Sequence, residues 1–458
     1  MIVILYVIDS LRPDFLGCYG YARNISPNID ALARDGILYH NAYSTAVWTK
    51  PSAASIITSQ YPRSLGVMHE MSIMPDYEHM LPKTLKEHGY NTYAISANTF
   101  FSPFFGFSGF DEFFVLSMDK ELLRKREKVK DPDQANPKIF QIWKKYGIDK
   151  FIKPLSEDIN EKLLPIIINK GGNKLIIAWS NDTHRPYYAF DNKSFFGDSP
   201  QYHIALRNTR NIEKMQSLYC DMIRYNDSHI GELILRLKEE GMYENSLIVV
   251  TGDHGESFGE HSIVGRPITQ HGGIPYEEVI KIPLLIKYPQ NKHSGMRCEA
   301  LVQLIDIYPT ILKVCGIQDN IEMEGISLYP EHDNLKEDRT IFVESQKSPH
   351  HIYSAAIIKG DYKLIKIDRK LQVSLNWRTL ARSILFKFMP EFQLFNLRFD
   401  PKERQNLSKK QKSCVEMLTR EHRKLHSELE RKERTLRIRQ ETKRIKTSVK
   451  RLKAKNRL

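Results

Sequence analysis

The chain has 458 residues, an apolar content of 41% and a formal net charge of +13. Its length exceeds the ~250 to 300 residues over which one core grows, so we expect a large domain and a smaller one. The positive charge is concentrated at the C-terminus, where residues 431–458 contain 13 Lys and Arg and 2 Asp and Glu. The residues before Arg431 therefore carry a net charge of only +2, which excludes a uniformly basic fold.

The cysteines and the first residues indicate a compartment. The five cysteines are scattered and include no C-x-x-C pair, which argues against zinc or redox chemistry and fits a reducing environment. The opening MIVILYVIDSLRPD lacks a basic region and a cleavage site, so it predicts a buried strand rather than a signal peptide. No run reaches the ~18 apolar residues of a membrane span. We therefore expect a soluble cytoplasmic protein.

Short apolar runs predict buried strands, and they lie at 2–8, 92–96, 174–180, 246–251 and 283–288. Helical patterns such as 222–241 separate them, which indicates an α/β fold with a largely parallel central sheet flanked by helices. From about Ile341 short alternating strands predict a small antiparallel sheet. The predicted domains are a catalytic domain at 1–335, a C-terminal α+β subdomain at 336–410 and a basic helical tail at 411–458. The Lys-rich segment 118–164 has helical character and no motif.

Polar side chains follow three of the predicted strands. Asp9 directly follows the first run, His184 lies four residues after the third, and Asp253-His254 close the fourth. Ligands of parallel sheets bind in the crevice outside the carboxyl ends of the strands. Singly, each residue has an ordinary interpretation as a cap or a surface group, but together they predict one site.

Three segments along the chain are distinctive, namely VIDSLRPDFLGCYGY, SPNIDALARDGILYHNAYS and TGDHGESFGEH. With these segments in view, the chain resembles the sulfatase family of the alkaline phosphatase superfamily. Further matching segments fall in family order at 108–114, 184–188, 271–286, 304–317 and 393–407. The resemblance covers nearly all of the chain to about residue 410 and implies an alkaline-phosphatase-like fold.

The resemblance also implies a metal site and a set of catalytic residues. Asp9, Asp253 and His254 would bind one divalent cation, with the Thr49 oxygen completing the set. These mostly oxygen ligands suit Mn²⁺, Mg²⁺ or Ca²⁺, with Zn²⁺ less favoured. His184 and His271 fall where such enzymes place histidines against the substrate, and either could protonate a leaving oxygen.

Thr49 occupies the nucleophile position of the family. The family motif is Cys or Ser, any residue, Pro, Ser and Arg, and here it is Thr-Lys-Pro-Ser-Ala at 49–53. Sulfatases oxidise that Cys or Ser to formylglycine, which we do not expect from Thr. A Thr hydroxyl beside a cation loses its proton more easily and can attack phosphorus, as in phosphodiesterases and phosphotransferases of the superfamily.

Other positions depart from the family pattern. The motif Arg is Ala53, the second Asp of the usual pair is Ser10, and the usual Gly-Lys-Trp-His is 97–100, Ala-Asn-Thr-Phe. Lys50 and Arg266 are candidates to supply the missing positive charge to a substrate anion, or are solvated surface residues. The helix after Thr49 would point its N-terminus at the same anion, with Thr49 as both N-cap and nucleophile.

We therefore predict a metal-dependent hydrolase or transferase of phosphate or sulfate esters. A phosphodiesterase or phosphotransferase acting on a glycan or lipid-linked substrate is preferred, and a sulfatase or an inactive sulfatase-like binding protein is the alternative. The oligomeric state is left open.

The tail has a separate set of candidate roles. An apolar stripe at helical spacing predicts a long helix that packs on the catalytic domain or pairs as a coiled coil. Its basic residues would also suit an anionic membrane surface, giving a peripheral location. Nucleic-acid binding ranks lowest, because no aromatic residue follows Phe399.

Overall fold

The structure is a computed structural model. It describes residues 1–118, 153–169, 171–185, 187, 212–318, 320–329, 338–346, 353–368 and 388–455, and side chains of the last helix to Lys446 except Lys443. Most of the predicted 118–164 segment lies outside these ranges.

An eight-stranded sheet forms the centre of the described chain, in the order β10-β2-β9-β6-β1-β5-β3-β4. All neighbours pair in parallel except β9, which is antiparallel to β2 and β6. The strands are β1 (Ile2–Ile8), β2 (Ile37–Tyr43), β3 (Tyr90–Ser96), β4 (Glu112–Val115), β5 (Asn173–Ser180), β6 (Ser246–Gly252), β9 (Lys281–Lys287) and β10 (Met296–Gln303).

Helices cover both faces of this sheet, because β1 is apolar on both sides. Its even-numbered residues pack with α1, α4 and α5, and its odd-numbered residues pack with α2, α3 and α7. The helices are α1 (Pro27–Arg34), α2 (Thr49–Thr58), α3 (Leu81–Glu87), α4 (Ser156–Ile168), α5 (Ile212–Glu239), α6 (Glu277–Ile280) and α7 (Ile307–Val314). Short 3-10 turns lie at Pro13–Phe15, Gly17–Tyr19, Pro103–Phe105, Leu116–Met118, Pro289–Asn291 and Leu304–Asp306.

A hairpin and a second sheet complete the fold. The hairpin joins β7 (Phe258–Ile263) to β8 (Arg266–Thr269). The second sheet is antiparallel in the order β11-β12-β13-β14, with strands Thr340–Ser345, Ser354–Lys359, Tyr362–Ile367 and Phe392–Asn396. The last helix, α8, runs from Lys412 to Lys455.

The predicted fold class is confirmed: a largely parallel sheet between helices is followed by a small antiparallel sheet. The domain boundaries remain predictions. No helix in the described part of the chain combines the length and the apolar character that crossing a membrane requires.

Candidate functional site

The site lies where three neighbouring strands end. β1 is hydrogen-bonded between β5 and β6, and Ile8 is in register with both Ser180 and Gly252. Parallel strands in this register end at one edge of the sheet. The residues after each strand, including Asp9 and Asp253, are therefore brought together although they are distant in sequence.

Four of the predicted site residues form one buried cluster. Thr49 Oγ1 lies 3.2 Å from Asp9 Oδ2 and 3.4 Å from His254 Nε2. Asp9, Asp253 and His254 each offer a ligand atom within 4.8 Å of the others. All four residues are buried, and Thr49 is 3% exposed. Their proximity agrees with the predicted site, and their individual roles stay predictions.

Ser10 holds the two carboxylates in place. Its backbone N–H donates to Asp253 Oδ1 (3.0 Å), and its hydroxyl donates to Asp9 Oδ1 (2.9 Å). Its φ of 62° lies in the left-handed region, which is strained for a serine. Such strain persists where the surroundings determine the backbone, as they do here between β1 and β6. The residue that replaces the family's second Asp is therefore part of the framework of the site.

The donor set fits a divalent cation. Asp253 Oδ2 is buried without a hydrogen-bond partner among the described residues. Burial, and then the charge of Asp9, raise the pKa of Asp253 well above its usual value. Burial opposes the charged form of Asp9 as well, but the histidines around it outweigh this effect and lower its pKa. Two adjacent buried carboxylates require positive charge between them, which a cation would supply.

His254 has the tautomer that such a site requires. Its Nδ1 lies 2.8 Å from the carbonyl oxygen of Gly255, which can only accept, so Nδ1 carries the proton. Nε2 then presents its lone pair towards Asp9 and Asp253, from which it lies 3.7 and 3.4 Å. A histidine fixed by a second hydrogen bond in this way is typical of metal ligands.

Asn98 is a site residue that the sequence prediction missed. Its Nδ2 lies 2.5 Å from Asp9 Oδ2 and 3.4 Å from Thr49 Oγ1. The N–H of Phe100 donates to Asn98 Oδ1 (2.8 Å), which directs the amide N–H₂ into the site. Asn98 follows β3, which neighbours β5, so its position after a central strand was the available signal.

His184 and His271 lie beside the cluster. Their rings are 5.1 Å apart, and the ring of His271 lies 4.3 Å from that of His254. Burial lowers the pKa of His184, whose Nδ1 donates to the carbonyl of Arg185 (2.6 Å). The structure therefore places both predicted histidines beside the cluster, and their catalytic roles stay predictions.

Glu256 supports His271 and was also missed. Its Oε2 lies 3.3 Å from His271 Nδ1 and 3.9 Å from Arg185 Nε. Glu256 is fully buried, and burial raises its pKa. Its place in the segment Asp-His-Gly-Glu was the only signal in the sequence. The carboxylate fixes the orientation of the imidazole.

The structure bears on three details of the predicted anion site. Lys50 is buried rather than solvated, and its ammonium group donates to the carbonyls of Glu70 and Ser72, both at 2.6 Å. Arg266 lies exposed on the β7–β8 hairpin, and no hydrogen bond or ion pair joins it to the cluster within the described residues. Thr49 is the first residue of α2 and Trp48 is its N-cap, so the Thr49 hydroxyl does not cap the helix.

Comparison with known proteins identifies the family. A Sulfatase family model matches residues 2–317, and a model described as N-sulphoglucosamine sulphohydrolase, C-terminal, matches residues 273–378. An ulvan-active sulfatase of Formosa agariphila is 26% identical, over 74% of this chain and 67% of its own.

Solved structures share the fold. One holds its substrate D-glucosamine-2-N,6-O-disulfate and superposes with a TM-score of 0.67 at 19% identity, covering 93% of this chain and 98% of that chain. The phosphonate monoester hydrolase of Agrobacterium radiobacter superposes with a TM-score of 0.61 at 16% identity, covering 96% and 95%. Since the Sulfatase model spans well over half of the sequence, this chain belongs to the sulfatase family of hydrolases.

Proposed function

We propose that the protein hydrolyses a sulfate ester of a glycan, with the Thr49 hydroxyl as the nucleophile. The observation that carries this proposal is the buried position of Thr49 Oγ1, 3.2 Å from Asp9 Oδ2 and 3.4 Å from His254 Nε2. A hydroxyl between a carboxylate and an imidazole is placed for activation as a nucleophile. An inactive binding protein would have no need of this arrangement.

The substrate class is supported by the relatives. The sequence alone favours a phosphate ester, but the related proteins are mostly named sulfatases, and this favours the sulfate-ester alternative. Ulvan and a disulfated glucosamine are the substrates that two of them name, which supports a sulfated glycan.

A phosphodiester or phosphonate monoester is the second candidate. Thr49 itself favours it, since oxidation of a threonine side chain gives a ketone and not the aldehyde of formylglycine. Its β-carbon carries a methyl group, so the hydroxyl must act as it stands. The likeness in fold to a phosphonate monoester hydrolase agrees with this candidate.

The first step that we propose forms a covalent ester on Thr49. Thr49 Oγ1 gives its proton to Asp9 Oδ2, 3.2 Å away, and forms a bond to sulfur as the bond between sulfur and the leaving oxygen breaks. Asn98 Nδ2 donates towards Thr49 Oγ1, and His184 or His271 gives its proton to the leaving oxygen. A divalent cation held by Asp9, Asp253 and His254 would lower the pKa of the Thr49 hydroxyl and balance the two carboxylates.

The second step releases the product. Water attacks the sulfur, and the histidine that lost its proton takes one from the water. The bond from sulfur to Thr49 Oγ1 breaks, and Thr49 Oγ1 takes its proton back from Asp9 Oδ2. Glu256 keeps the His271 ring in one orientation through both steps, because its Oε2 lies 3.3 Å from Nδ1. Glu256 therefore acts as a positioning residue.

A paired assay tests the proposal. Aryl sulfate, sulfated glucosamine, aryl phosphodiester and phosphonate monoester are offered to the wild type and to Thr49→Val, which keeps the branched shape and removes the hydroxyl. Thr58→Val is the matched control, because Thr58 lies at the other end of α2, where its hydroxyl bonds to the backbone of Ala54 and Gln60. We expect turnover of the sulfates, its loss in Thr49→Val and its retention in Thr58→Val. Turnover of phosphorus esters alone would assign the second candidate, and an active Thr49→Val would refute the nucleophile.

A further inference from the structure

The last helix is divided into a docked part and a projecting part. Its first half packs on the second sheet and the catalytic domain, with Leu418 0% and Leu429 1% exposed. Leu418 joins the cluster of β12 to β14, and Leu429 packs with Tyr61 and Phe342. This half is a structural part of the protein.

Docking ends in the turn from Leu436 to Gln440, the last half-buried residue among the described side chains of α8. Lys432 forms ion pairs with Glu324 (3.0 Å) and Glu322 (3.2 Å), and Leu436 packs partly buried against the core. Ile438 and Ile445 are then 64% and 63% exposed. We call residues 437–455 of α8 the helical extension.

The extension is amphipathic in sequence and strongly basic. Its apolar residues recur at intervals of seven, four and three, which places them on one face of a helix: Ile438, Ile445, Val449 and Leu452. Residues 437–458 contain 10 Lys and Arg and one acidic residue, Glu441. A narrow apolar face between basic flanks is typical of helices that lie in the interface of a membrane.

We propose that the helical extension binds the enzyme to an anionic lipid surface. The basic residues complement lipid phosphates, and the exposed isoleucines enter the boundary between head groups and acyl chains. Binding would hold the active site near esters at that surface. This proposal is independent of the substrate class.

Charge and shape favour lipid over the two other occupants. A second copy of the extension would bring two strongly basic helices together, and like charges oppose such pairing. An RNA strand would meet the charges but leave Ile438 and Ile445 in water, and no aromatic residue follows Phe399 to stack on bases. A lipid surface satisfies both the basic flanks and the apolar face.

Cosedimentation with vesicles tests the proposal on the full chain. Vesicles of phosphatidylcholine alone are compared with vesicles in which one lipid in three is phosphatidylglycerol, at low and high salt. The variants are a truncation after Leu436 and the pair Ile438→Asp with Ile445→Asp. Leu235→Asp is the matched control, because Leu235 is 57% exposed on another helix. Thermal unfolding, model-ester turnover and oligomeric state are measured for each protein.

We expect binding to the anionic vesicles only, falling at least ~10-fold at high salt because the attraction is screened. Truncation should abolish binding and the double substitution should weaken it ~10-fold or more, while Leu235→Asp binds normally and unfolding temperature and turnover stay unchanged. Equal binding to neutral and anionic vesicles would overturn the proposal. So would binding that high salt does not weaken, or binding that survives the truncation. So would a loss of dimers on truncation, or tighter binding of RNA than of the anionic vesicles.

Discussion

The Nδ2 atom of Asn98 lies 2.5 Å from Asp9 Oδ2, and the same group lies 3.4 Å from Thr49 Oγ1. A donor fixed beside the proposed nucleophile would stabilise the negative charge that develops on Thr49 Oγ1 as it loses its proton. We predict that Asn98→Ala lowers kcat by about 10- to 100-fold and leaves KM nearly unchanged. Steady-state kinetics on the best ester measures this, with Asn41→Ala at a remote exposed hydrogen bond as the control. A rise in KM of about 10- to 100-fold with kcat unchanged would show instead that Asn98 only binds substrate.

Asp253 and Asp9 repel each other when no cation is bound. Asp253→Asn removes one of two adjacent buried charges, so the cation-free variant should unfold at a higher temperature than the cation-free wild type. Addition of Mn²⁺ or Ca²⁺ should stabilise the wild type strongly and the variant weakly, because binding to the native state alone raises stability. Calorimetric titration and thermal scans check both halves. Equal stabilisation of the two proteins by either cation would contradict the predicted ligand set.

Lys50 supports the loop at Glu70 and Ser72. Burial lowers the pKa of its ammonium group to about 7, and two backbone carbonyls hold it. Lys50→Met should leave those carbonyls unpaired and lower the free energy of unfolding by about 1–3 kcal/mol, with KM unchanged. Denaturant unfolding and steady-state kinetics separate these effects. A large rise in KM in a stable variant would restore Lys50 as a substrate-binding residue.

His422 makes the docking of α8 sensitive to acid. Burial lowers its pKa from 6.5 to about 4, so the folded state binds fewer protons than the unfolded state between these values. The stability from neutral His422 is complete above pH 6.5 and is lost as the pH falls towards 4.

The free energy of unfolding should therefore drop by on the order of 2 kcal/mol from this residue between pH 7 and pH 5. Denaturant titrations at the two pH values measure the drop. His422→Gln, which cannot be protonated, should show a smaller drop in the free energy of unfolding than the wild type. His88→Gln, at an exposed histidine, should show the same drop as the wild type. Equal drops in wild type and His422→Gln would rule out this role.

The sequence predicts the sheet and much of the site because buried strands carry a continuous apolar signal. Asp9 and Asp253 were found because they follow such strands, and a parallel sheet brings strand ends to one edge. The first residues of β3 and β9 were predicted too late in the sequence, because pairing with neighbouring strands extends each strand before its apolar run.

Contacts set by the fold could not be predicted in this way. Lys50 was predicted either to bind the substrate anion or to be solvated, since charged side chains are usually exposed. Instead, two distant carbonyls and the ring of Phe105 bury it. The orientation of Asn98 depends on the N–H of Phe100, which no pattern in the sequence reports. The point at which α8 leaves the body depends on Lys432 meeting two glutamates from another segment.

Mass spectrometry of the acid-quenched enzyme tests the central claim most directly. During turnover of a fast aryl ester, the account predicts one added sulfuryl or phosphoryl group on the peptide that carries Thr49, located on its hydroxyl by fragmentation. The adduct should be absent in Thr49→Val and present in Thr58→Val. An adduct on another residue, or full turnover by Thr49→Val with none, would contradict the account.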